Sequence, residues 1–149
     1  MMSKISLRSR KSIVFILALC LAFLLSSCFG YTLKEKMYYS QKDNYVNAIG
    51  TIDHIAYTDD LTELYLGFTD LTPRFDGPTF KIVGDNLSIV EDRGINQKIK
   101  VGDRVEFITA PEYFGDGYVM PIVAISINGE ELLTFDEGFP NLLKWLSKQ

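Results

Sequence analysis

Between Tyr45 and Gly129 the chain is a succession of short runs rich in β-branched and aromatic residues, each bounded by turn formers. They read YVNAIGTIDHIAY, LTELYLGFT and PTFKIVG, then IKVGDRVEFITA and YVMPIVAISING. Runs of this length and composition suit a pleated, half-buried surface, so five short strands are expected. In the second run Leu64, Leu66 and Phe68 share one face and Glu63, Tyr65 and Thr69 the other, as in a strand with one side in a core. Gly50, inside the first run, predicts a bulge or sharp bend.

Two other stretches are expected to be helical. GDNLSIVEDRG lies between the third and fourth strands, with Asn86 or Ser88 as a cap and Gly94 as the stop. FDEGFPNLLKWLSKQ closes the chain, with Pro140 suited to a first helical turn and Leu142, Leu143 and Leu146 forming an apolar stripe beside Trp145. Both cysteines, Cys20 and Cys28, precede this region, so no disulfide can form within it. A chain that is 47% hydrophobic and 13% aromatic must instead be held by an ordinary packed core.

Three strands, a short helix and two more strands resemble the OB-fold, a five-stranded, partly open barrel with a long, bent first strand. The KVGDRVEF phrase entering the fourth strand is similar to many such sequences. The resemblance covers about Tyr45 to Gly129. It implies a binding face on strands two and three, flanked by the loops Tyr57–Glu63 and Pro111–Gly117, but no single function, because the fold hosts many.

The N-terminus has the order of a secretory signal: Lys4, Arg8, Arg10 and Lys11, an apolar run from Ile13 to Leu25, then Ser26 and Ser27. Thirteen apolar residues rise about 20 Å as a helix, short of a hydrocarbon core of about 30 Å, which favours a cleaved signal over a permanent span. Leu25-Ser26-Ser27-Cys28 resembles the lipobox of bacterial lipoproteins. The resemblance implies that Cys28 is acylated and becomes the new N-terminus, and that the domain is anchored outside the cytoplasm at the cell membrane or outer membrane. The expected organisation is a signal peptide over 1–27, a lipidated cysteine and tether over 28–44, and a barrel domain with a C-terminal helix over 45–149. In the tether, Thr32 and Glu35 have capping-box spacing, the start of a short helix.

Removing the signal takes away four of the 15 basic residues and none of the 19 acidic ones, leaving a formal charge of −8. That sign speaks against nucleic acid as a partner. The one histidine, His54, has no second imidazole for a metal site, and no serine stands in a Gly-x-Ser-x-Gly elbow. No cofactor or catalytic residue is therefore assigned. Asp59, Asp60, Glu63, Asp70, Asp76 and Asp116 fall in or near loops without the spacing of a calcium loop. They keep open an alternative, an envelope enzyme acting on polysaccharide. The pattern closest to a binding site is aromatic: Tyr113, Phe114 and Tyr118 around the loop before strand five, with Tyr65 on an adjoining face. Exposed rings stack on bases or sugars. With the acidic charge, an envelope glycan or protein is the expected ligand of a non-catalytic module.

Overall fold

A computed structural model describes residues 33–114 and 118–149. The residues expected to form a signal and a lipobox, Cys28 among them, and Asp116 of the Pro111–Gly117 loop lie outside the described residues. Residues Glu35–Gln149 form one compact unit. The elements are helix α1 (33–39), a 3-10 turn at Lys42–Asn44, β1 (Val46–Tyr57), β2 (Glu63–Thr72), β3 (Thr79–Val83), α2 (Asp85–Asp92), α3 (Ile95–Lys98), β4 (Arg104–Thr109), β5 (Val119–Ile127), β6 (Glu130–Leu133) and α4 (Phe135–Leu146). Among the described residues no helix is long and apolar enough to cross a membrane.

The fold is mostly β. Six strands form one sheet in the order β3-β2-β1-β4-β5-β6, with antiparallel neighbours, and β3 also pairs in parallel with β5 through Thr79–Lys81 and Val119–Pro121. Five strands were expected, and the sixth is β6. Asn128 and Gly129 both have positive φ, 53° and 80°, the signature of a tight two-residue hairpin turn that returns the chain onto β5. The four residues after it, Glu-Glu-Leu-Leu, have too little β character to announce a strand. Gly50 lies at a register shift between β1 and β2, as expected of a bulge, and a Cβ there would stand 2.9 Å from Leu71 Cδ2.

Two cores result. Inside the sheet, Phe68 stacks on Phe107 at 4.7 Å, with Phe80 edge-on to both, among Ile52, Leu64 and Leu66. Outside it, α4 lays Leu142 and Leu146 with Val123 of β5 and Val83 of β3. Tyr39 of α1 is buried in this second core, its hydroxyl donating to the Glu112 carbonyl, and Tyr45 donates to the Tyr39 carbonyl. The stretch from Glu35 to Asn44, read as tether from its polarity, is thus part of the compact unit, held by its tyrosines.

Two helix boundaries differ from expectation. Helix α4 begins at Phe135, five residues before Pro140, because Thr134 and Glu137 form a reciprocal capping box. Pro140 consequently lies inside the helix. Asn86 caps nothing: Gly84 precedes α2, and the buried Asn86 amide donates to the Gly138 carbonyl at 2.9 Å, tying α2 to α4. Gly94, at φ 79°, does end the α2 segment.

The capping glutamate carries a second bond. Arg93 grips Glu137 with both terminal nitrogens, at 2.7 and 2.9 Å, and also donates to the Leu132 carbonyl. Arg93 first, then the Thr134 N–H and hydroxyl, pull the Glu137 carboxyl from 4.5 to about 2. A carboxylate with a depressed folded pKa stabilises the fold fully above its unfolded value and progressively less as the pH falls. Stability is therefore expected to drop between pH 4.5 and 2, with urea midpoints showing a shallower drop in Glu137→Gln. Identical acid limbs in the two proteins would contradict this.

Candidate functional site: an aromatic mouth beside the β2–β3 loop

The parallel pairing of β3 with β5 decides which loops meet. Placing Thr79 opposite Val119 sets the end of the β4–β5 connection beside the β2–β3 loop. The approach is close: a Cβ on Gly77 would come within 2.9 Å of the Tyr118 carbonyl oxygen, so only glycine fits. The β2–β3 loop is pinned from below by Phe75, whose ring meets Phe80 of the inner core edge-on at 5.3 Å.

On this base Tyr113 and Tyr118 pack ring against ring, their centroids 4.4 Å apart and their planes inclined by 46°. Tyr113 leans on the inner core and is half-buried, while Tyr118 is 55% exposed. Tyr118 has φ 48°, a left-handed conformation that costs a bulky residue about 1–3 kcal/mol. Desolvation, then Tyr118 and Asp76, raise the Tyr113 phenol above its ordinary pKa. Next to the pair lies a cleft of about 350 Å3 lined by Phe68, Asp70, Leu71, Arg74, Phe75 and Asp76. Among the described residues Arg74, Asp70 and Asp76 are in no ion pair. The cleft therefore offers hydrogen-bonding groups of both signs next to a solvent-facing ring.

The other two aromatic candidates have different surroundings. Phe114 turns into the second core, 5.7 Å from Tyr38 and 5.5 Å from Tyr39. Tyr65 points outward from β2 and donates to the Glu63 carboxylate, a bond that, with burial, pushes its pKa up to about 12. Lys81 of β3 pairs with Glu63 at 3.1 Å and sits 4.8 Å over the Trp145 ring. Trp145 in turn packs against Gly84, whose added Cβ would meet it at 2.9 Å. This chain of contacts fastens α4 across β2 and β3 at the face on which Tyr65 stands.

The β1–β2 loop, the other flank implied by the OB resemblance, is locked on itself. The Asp60 carboxylate accepts from both the Thr58 and Thr62 hydroxyls at 2.7 Å, which lowers its pKa. Tyr57 donates to the Asn96 side chain at 2.7 Å. His54 is exposed on β1, opposite Gly67. Among the described residues no three His, Cys, Asp or Glu side chains are grouped to hold a metal ion.

Sequence reasoning passed over Arg74 and Phe75. They stand in DLTPRFDG, where the carboxylates are the only locally visible chemical signal. Nothing local ties that loop to Tyr118, since the link is a pairing between strands some 40 residues apart. The chain matches no known family model, no curated protein and no solved structure.

Proposed function

We propose that this chain is a lipid-anchored, non-catalytic binding module of a bacterial cell envelope, and that the mouth formed by Tyr113, Tyr118 and the Arg74–Asp76 cleft holds its ligand. The anchor rests on Leu25 to Cys28 and on the basic and apolar segments before it. The domain is an OB-like barrel in this proposal. Its support is the β3–β5 pairing, which joins β1-β2-β3-β5-β4 into a ring with β6 added beyond.

The observation that carries the binding role is the exposed, left-handed Tyr118 backed by Tyr113. A large ring that is more than half exposed and held in a costly conformation adds little to the core beneath Tyr113, and exposed rings stack on ligands. A glycan suits the mouth best. A pyranose has an apolar face for the ring and hydroxyls for Arg74, Asp70 and Asp76, and the cleft is near the small end of the ligand-sized range of roughly 300–1,000 Å3. Two carboxylates against one guanidinium disfavour a polyanion.

The test compares Tyr118→Ala with Phe114→Ala in the full chain. Tyr118→Ala is expected to leave the melting temperature nearly unchanged and to abolish co-sedimentation with insoluble cell-wall polysaccharide. Phe114→Ala, which opens a gap beside Tyr38 and Tyr39, is expected to cost roughly 2–4 kcal/mol of stability and to retain binding while folded. Equal sedimentation of wild type and Tyr118→Ala would remove the mouth from consideration.

A further inference from the structure

The outer face of the sheet carries a second concavity, of about 420 Å3, formed by β1, β4, β5 and β6 with the end of β2. Strand register explains its lining. Thr72 lies opposite Ile49, Ile49 opposite Glu106, Glu106 opposite Ser126 and Ser126 opposite Glu131, so one row of side chains crosses five strands. All of them alternate with residues turned into the inner core, such as Ala48, Phe107 and Ile125. A parallel row, Asn47–Ile108–Ala124, places the apolar Ile108 and Ala124 beside the row that carries the glutamates, and Ile108 borders the core under α4.

Glu106 and Glu131 are exposed and flank the Ser126 position. Among the described residues the salt-bridged carboxylates are Glu63, Asp85, Glu130 and Glu137, so neither groove glutamate is in an ion pair. Arg93 feels Glu131 but is bound in both directions to Glu137. The groove thus joins two exposed carboxylates that stand outside the ion pairs to a partly exposed aliphatic strip.

We infer that this groove docks an extended, basic segment of a partner protein, with Lys or Arg side chains over Glu106 and Glu131 and small apolar residues on Ile49 and Ile108. Charge complementarity selects the occupant, and spacing sets its form. Strands lie about 4.8 Å apart, so the five-strand row is about 19 Å long, the span of roughly six extended residues. Glu106 and Glu131 are two strands apart, about 10 Å, close to the rise of about 9 Å over three residues of a polyproline-II segment. Basic residues three apart on such a segment face the same way and reach both carboxylates. Because it is independent of the mouth, the groove leaves Tyr118 free for its own ligand.

The test uses the full chain in detergent and a fluorescent nonapeptide with lysine at every third position and proline or valine between. Binding is expected, with affinity falling about tenfold in the Glu106→Gln, Glu131→Gln double variant, the scale of two part-exposed ion pairs. It should weaken likewise in about 0.5 M salt. Tyr118→Ala is expected to leave peptide binding unchanged. Both substituted glutamates are exposed, so the melting temperature serves as the folding control. The proposal is overturned if the peptide does not bind, if the double variant binds it as well as wild type does, or if a glutamate-for-lysine peptide binds equally. Loss of binding in Tyr118→Ala in place of the groove variant would also overturn it.

Discussion

Gly138→Ala is expected to be among the most damaging single substitutions in this protein, although it adds one methyl group to a helix. A Cβ at that position would stand 1.8 Å from the Val123 carbonyl oxygen and 2.7 Å from its carbon, so the obstacle is strand backbone. No rotamer change relieves such a contact. Helix α4 must lift away from β5, and with it the packing of Leu142 and Leu146 on Val123 and the Asn86 bond to the Gly138 carbonyl are lost. Overpacking of cores costs about 1–3 kcal/mol where side chains can shift, and here they cannot. We expect a loss of about 3 kcal/mol or more from a total of about 5–15, seen as a large fall in the urea midpoint. A midpoint within error of wild type would mean that α4 does not sit this close to the sheet.

Leu66→Asp is the second large effect. Leu66 is fully buried between Ile55 of β1 and Phe80 of β3, on the inner face of β2. An uncompensated charge there costs about 3–5 kcal/mol on top of the lost apolar contacts, enough to unfold most domains of this size. Thr69→Asp, on the exposed side of the same strand, is expected to stay within about 0.5 kcal/mol of wild type. Circular dichroism melts of the pair check the assignment of faces. A normal melt for Leu66→Asp would reverse it.

What the sequence disclosed follows from how local each signal is. The alternation of Leu64, Leu66 and Phe68 with polar neighbours is a property of one strand, and it correctly placed the inner core on that side of β2. The bulge at Gly50 was legible for the same reason. Strand β6 is not legible in the sequence because its four residues draw their β character from the hairpin and from β5, and the Asn-Gly turn, which can equally end a strand, links two. Pro140 drew the start of α4 toward itself, whereas the capping box at Thr134 and Glu137 sets it.

The candidate site divides along the same line. Tyr113 and Tyr118 are five positions apart, and their meeting was visible in one short stretch. Phe114, between them in sequence, turns the other way because its neighbours Tyr38 and Tyr39 come from α1, far away in sequence. The outer-face row of Thr72, Ile49, Glu106, Ser126 and Glu131 takes one residue from each of five strands, and no window of sequence contains it.

The location of the domain decides which ligands it can meet, so the anchor is the point to measure first. Intact-mass and peptide mass spectrometry of the protein isolated from its native membrane tests it directly. The account predicts a mature chain that begins at Cys28 and carries a diacylglyceryl group on that sulfur, absent from a Cys28→Ala variant. An unmodified Cys28, or a peptide that runs unbroken through Ser27 and Cys28, would contradict it.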